Sequence, residues 1–121
     1  MSIESYKDLL VWQRSIELTK EIYSLVKKLP KEETYALSDQ MRRAAVSIPS
    51  NTAEGQERHG TKEYINFLSI ARGSKAELET QIIICRELNY LTEEETTTAM
   101  NLITEISKML ASLIKKLTPT P

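Results

Sequence analysis

Five basic side chains, Arg42, Arg43, Arg58, Lys62 and Arg72, are the groups through which this sequence could hold an anion. Arginine offers a planar fork of donors and lysine a compact point charge, and both neutralise phosphate. Between Arg42 and Lys75 there are six Lys or Arg against three Glu, a local excess of three cations. Phosphate binding needs several such charges to converge on one surface. A second pattern competes with that reading. Arg43, Ser47, Asn51, Glu54 and Arg58 step by four, four, three and four, which aligns them as one polar stripe on a helix. Arg72, Lys75 and Glu79 form a charged row farther on. Small residues at Ala44, Ala45, Ala53, Gly55, Ala71 and Gly73 allow two backbones to approach closely. On that arrangement Asn51, Glu54, Arg72 and Glu77 form a partly buried polar network that sets helix register and partner choice. The residues leave both readings open.

Catalytic patterns are missing. His59 is the only histidine and sits in a turn beside Gly60, where a lone imidazole is solvated far more often than it is a base or a ligand. A di-iron carboxylate bundle needs two Glu-x-x-His units, and here Gln56 stands three residues before the single His. The sequence contains no Ser-His-Asp set, Gly-rich phosphate loop or zinc-spaced Cys/His cluster. Cys85 reads as a small core residue, and Trp12 and Tyr23 as core anchors. The expectation is a protein that is not an enzyme, with no cofactor, metal or small-molecule substrate.

The elements that would position these residues are helices. Trp12, Ile16, Thr19, Tyr23 and Val26 share one face of the first, beside a second stripe of Val11, Ser15, Leu18, Ile22, Leu25 and Leu29. That apolar face is wider than one neighbouring helix needs. Ser5 and Asp8 resemble a capping box, and Pro30 stops the helix. Leu37, Met41, Ala44, Ile48 and Thr52 mark the buried side of a second helix, with Ser38 as its N-cap and Gly60 as a left-handed C-cap. Pro49 lies inside it, where a kink is expected because the amide that would bond to the Ala45 carbonyl is lost. Thr61 is expected to cap a third helix lined by Tyr64, Phe67, Leu68, Ala71, Ser74, Leu78, Ile82 and Cys85. Its end is apolar all round, as a helix buried on more than one side would be. Thr92 and Glu95 form a capping box before the last apolar stripe, from Ala99 to Leu117. These patterns predict an all-α, antiparallel up-down-up-down four-helix bundle in a single domain, 1–121, with helices at about 8–28, 33–58, 61–89 and 93–117.

Composition agrees with that class. The chain has 121 residues, 40% of them hydrophobic, with 3 Gly, 4 Pro and a net charge of −1. It has the size of one domain, and its charge balance is unlike that of a strongly basic nucleic-acid coat. One cysteine rules out an internal disulfide. The opening MSIESYKDLL lacks the basic and apolar regions of a signal peptide, and no apolar run is long enough to span a bilayer. A cytoplasmic location without membrane contact is expected.

The strings LLVWQRSIELTKEIY, LPKEETYALSDQMRRAAVSIPSNTAEG, EYINFLSIARGSKAELETQI and LNYLT resemble the four helix bundle family first noticed as reading frames within intervening sequences of bacterial 23S rRNA genes. The likeness runs from about Leu9 to Leu117, and RRAAVSIPSNTAEG and ARGSKAELE carry it most specifically. Thr52 departs from the aliphatic residue usual there. The resemblance implies a ring-like homo-oligomer, typically a homopentamer, as the protein's partner to itself. A branch of similar fold serves as the accessory protein of diversity-generating retroelements, which engages RNA and a reverse transcriptase. By that likeness Arg42, Arg43, Arg58, Lys62 and Arg72 would lie near RNA or a nucleoprotein. The contrasting expectation is a structural or protein-interaction oligomer with no nucleic-acid role.

Overall fold

Leu18 and Ile22, Met41 and Ile48, Leu68, Leu78 and Ile82, and Ile103, Ile106 and Leu110 are all fully buried. Each set recurs at helical spacing, so each helix turns one apolar stripe inward. The computed structural model describes residues 4–120. It contains α1 (Leu10–Val26), α2 (Leu37–Glu57), α3 (Thr61–Glu87) and α4 (Thr97–Leu117), with 3-10 turns at Tyr6–Asp8 and Lys31–Glu33. No strand occurs among the described residues. α1 and α3 each pack against both α2 and α4, which closes a four-helix bundle around one core.

The helix ends differ from the sequence expectation for identifiable reasons. The Ser5–Asp8 capping box forms, but it closes the 3-10 turn at Tyr6–Asp8 and α1 starts only at Leu10. That turn packs Tyr6 edge-on against Trp12, with ring centroids 5.4 Å apart. Ser38 is the second residue of α2 rather than its cap, and the Leu37 amide donates to the Glu33 carboxylate at 3.4 Å instead. Gly60 is not left-handed: its φ is −114°, and it is the residue preceding α3. Thr61 is accordingly the first helical residue, with no side-chain cap. The left-handed residue is Asn89 (φ 62°), just after α3. There the Tyr90 amide donates to the Cys85 carbonyl at 2.8 Å and the Asn89 amide to the Arg86 carbonyl at 3.1 Å, the two bonds of a Schellman closure.

The Thr92–Glu95 box is present in both directions, at 2.9 and 3.0 Å, although residues 93–96 form turns and α4 begins at Thr97. Lys28 also donates to Glu95 at 3.0 Å, tying the end of α1 to the start of α4. The Thr92 amide and then Lys28 hold the Glu95 carboxyl below its ordinary range.

Pro49 is buried within an uninterrupted α2. Its missing amide frees the Ala45 carbonyl, and α1 answers it: Thr19 Oγ1 approaches that oxygen at 3.3 Å while also donating to the Ser15 carbonyl at 2.8 Å. Thr52, fully buried where an aliphatic residue would be usual, returns its hydroxyl to the Ile48 carbonyl at 2.8 Å. The polar departure is therefore satisfied within its own helix.

A close approach of α2 to α3 lies at Gly55. A Cβ there would stand 2.8 Å from Phe67 Cβ and 3.2 Å from the Tyr64 carbonyl oxygen. Farther along the same pair of helices, Ser47 meets Ser74 and Met41 meets Cys85. Ala44, Ala45 and Ala71 are buried, whereas Gly73 faces outward, where an added Cβ would meet nothing within 4 Å.

Two stability measurements test this packing. Gly55→Ala overpacks the α2–α3 interface and should lower unfolding free energy in urea by about 1–3 kcal/mol. Thr19→Val should cost about 1 kcal/mol in the native background. With Pro49→Ala, which restores an amide for Ala45, the same change should cost less; a double-mutant cycle without coupling would show that Thr19 does not serve that carbonyl.

Candidate functional site

Geometry separates the five basic residues expected to act together. Arg42 and Arg43 lie near the start of α2. Arg58 lies 15 residues after Arg43, about 22 Å along the helix axis at 1.5 Å per residue. Arg58 donates to Glu54 at 2.9 Å, and its guanidinium sits 4.9 Å from the centre of the Phe67 ring. Lys62 is exposed in the first turn of α3, and Arg72 is exposed farther along the same helix. Neither forms an ion pair among the described residues. The five are thus spread along α2 and α3 and do not meet at one point in the single chain.

The expected polar network is also rearranged. Asn51 donates to the Ser47 carbonyl at 2.8 Å and to its hydroxyl at 2.9 Å, and the Ser47 and Ser74 hydroxyls are 2.8 Å apart. This small neutral chain joins α2 to α3. Glu54 turns outward to Arg58. Arg72 and Glu77 are exposed, and among the described residues the Glu77 carboxylate accepts only from Gln81, at 3.4 Å. The reason is helical phase. Ala71 and Ser74 face α2, and Arg72, at about 100° per residue, is turned away from it.

A different group of cations converges. Three adjoining clefts, of about 440, 420 and 370 Å³, share Tyr23 as a common wall. Around them stand Lys20 and Lys27 of α1 and its end, Lys31 of the connection, and Arg42 and Arg43 of α2. Among the described residues Asp39 is the only acid lining them, and it pairs with Arg43 at 3.1 Å and Arg42 at 3.9 Å. Arg42 also donates to the Thr34 carbonyl at 3.3 Å, which leaves its side chain 28% exposed against 80% for Arg43. Tyr23, expected as a core anchor, is 45% exposed and forms the apolar wall of this basic surface. Lys20, Tyr23 and Lys27 recur at helical spacing, so their shared face was visible in sequence. Their meeting with Arg42 and Arg43 depends on how α1 packs on α2.

Other reactive groups are placed quietly. His59 is exposed in the α2–α3 turn. Cys85 is fully buried, its sulfur 3.6 Å from that of Met41. Burial, and then the charge of Glu33, pushes its thiol up to about 11, so it is protonated and unreactive near neutrality. No group of His, Cys, Asp and Glu able to hold a metal occurs among the described residues.

The rearranged network has a direct test. Arg72→Ala and Glu77→Ala should each leave unfolding free energy within about 0.5 kcal/mol of the native value. Ser47→Ala, which removes the hydroxyl that joins Asn51 to Ser74, should cost about 1 kcal/mol. The reverse order, measured by urea denaturation, would restore the charged network.

Comparison with known proteins agrees with the helical architecture. The profile of the family described as 23S rRNA-intervening sequence protein matches residues 7–112. Among solved structures, a protein of unknown function from the S23 ribosomal protein family of Bacteroides thetaiotaomicron VPI-5482 superposes with a TM-score of 0.81. It shares 32% identity, and the match covers 88% of this chain and 99% of that one. No curated protein matches. With four helices arranged as described and the profile spanning nearly its whole length, the chain belongs to the 23S rRNA-intervening sequence protein family.

Proposed function

We propose that this protein is a non-enzymatic, cytoplasmic binding subunit whose partner is RNA or a nucleoprotein. Its fold on this reading is an antiparallel up-down-up-down bundle assembling into a ring-like homo-oligomer, with a pentamer expected from the family resemblance. Paired contacts support the antiparallel course: Gly55 with Phe67, Ser47 with Ser74 and Met41 with Cys85 run in opposite order along α2 and α3. Support for assembly comes from Ile70, Ile83, Ile84 and Leu88, large apolar side chains of α3 and its C-cap left exposed in the single chain. No helix among the described residues is long and apolar enough to cross a membrane.

The observation that carries the RNA reading is the gathering of Lys20, Lys27, Lys31, Arg42 and Arg43 around Tyr23 against one carboxylate. Cations track a phosphate backbone, and an exposed ring offers a face on which a base stacks. The net charge of −1 does not prevent this, because recognition depends on local convergence and not on the sum.

The test is RNA titration at several salt concentrations, with mass measured by light scattering. Native protein should run as several protomers and bind single-stranded RNA with affinity falling steeply as salt rises. Lys27→Glu with Arg43→Glu should flatten the logarithmic salt slope by about 0.7 for each phosphate no longer neutralised, in a protein that still melts cooperatively. A clean oligomer that ignores RNA would favour the structural or protein-interaction alternative. A monomer would sink the assembly.

A further inference from the structure

The largest of the three clefts, about 440 Å³, has features that a general electrostatic surface does not require. Its wall includes Ser38, the second residue of α2, which is only 3% exposed. The Ser38 hydroxyl makes no hydrogen bond among the described residues, unlike the hydroxyls of the buried Ser15, Thr52 and Thr96. The residue is almost wholly covered while its oxygen is not fully enclosed, so the hydroxyl is open on the cleft side, a donor available to water or to a ligand. It lies at the N-terminus of a 21-residue helix, where the Ser38 and Asp39 amides also bond to nothing among the described residues. Such amides and the helix dipole favour an anion. Lys27, Lys31 and Arg42 add three cations to the same wall, and Tyr23, Val26 and Leu29 supply an apolar side.

Of the neighbouring acids, Asp39 and Glu33 are engaged, and Glu32 is exposed beside Lys31. The Asp39 carboxylate is held by Arg43 and Arg42. The Glu33 carboxylate accepts from the Tyr90 hydroxyl at 2.9 Å and from the Leu37 amide. The volume is within the range of about 300–1,000 Å³ usual for small-ligand sites.

We propose that this cleft binds the terminal phosphate of a nucleotide. The Ser38 hydroxyl, the open amides of Ser38 and Asp39, Lys31 and Arg42 receive the phosphate, and the base lies against Tyr23. A terminal monoester fits better than an internal diester because the donors meet in one recess instead of along a track. Its source is either a free mononucleotide or the phosphorylated 5′ end of an RNA strand. The inference deepens the RNA reading and rests on it only for the second source.

Calorimetry on the full chain separates the outcomes. The probes are adenosine 5′-monophosphate and a ten-nucleotide RNA carrying either a 5′-phosphate or a 5′-hydroxyl. Binding of the mononucleotide, or a preference of about tenfold or more for the 5′-phosphorylated RNA, is expected, the first pointing to a free nucleotide and the second to an RNA end. Ser38→Ala should remove most of either effect. Lys31→Glu, at an exposed position tolerant of change, should do the same. An inert mononucleotide together with equal affinity for the two RNAs would overturn the cleft while leaving the broader RNA surface standing. Phosphate-dependent binding that survives both substitutions would also overturn it. Mononucleotide binding without any RNA binding would keep the cleft and remove the RNA reading.

Discussion

The close approach of α2 and α3 governs the rest of this structure. At Gly55 the two backbones come so near that a single added carbon would collide with Phe67 and the Tyr64 carbonyl. Only three residues, Arg58 to Gly60, separate the helices there, so the contact sets their relation from one end. The Ser47–Ser74 hydroxyl pair and the Met41–Cys85 sulfur contact then follow along their length. Helix phase decides what remains outside. With Ala71 and Ser74 turned inward, Arg72, Gly73 and Glu77 are outward-facing whatever their chemistry.

The second constraint is the pairing of the polar groups that the bundle buries. Pro49 leaves a carbonyl without its amide, and α1 meets that need through Thr19. Thr52 and Ser15 return their hydroxyls to carbonyls one turn back. Asn51 is served by Ser47, and Gln81 Oε1 is the one fully enclosed side-chain oxygen or nitrogen without a partner among the described residues. Because an unpaired buried group is costly, these local solutions explain how a core containing serine and threonine remains compatible with tight packing. Against that background the open Ser38 hydroxyl stands out by position as much as by chemistry. It borders a cleft lined with cations, where an anionic ligand would complete its bonding.

The basic surface arises from ordinary amphipathic design used at one edge. Along α1 and just past its end, the inner stripe of Val11, Ser15, Leu18, Ile22, Leu25 and Leu29 is wholly buried. The neighbouring stripe is only partly covered by α2, which leaves Tyr23 exposed between lysines one turn on either side. The connection folds Lys31 back toward the start of α2, and Arg42 anchors that return through the Thr34 carbonyl. The charges are therefore brought together by the same link that joins the first two helices. The placement of these charges and the integrity of the connection are physically coupled.

Residue types and spacing determined the fold class of this protein. Apolar residues at three- and four-residue steps, Pro30 as a stop and the Thr92–Glu95 box were legible because they act through neighbours in the chain. Close packing at Gly55 was legible for a similar reason, since a small residue on a buried face marks approach. The strings resembling the rRNA-intervening family also carried the family assignment. Tertiary structure decided everything that depends on two distant segments meeting. Gly55 and Gly73 are the same residue in opposite surroundings, because one faces α3 and the other faces away from the bundle. Arg42 lies in α2 and Arg58 at its C-cap, yet they stand in different surroundings, while Arg42 and Lys27 come from different segments and line one cleft. Helical period places a side chain on a face. Which faces meet, and hence which charges converge, is settled only when the helices pack.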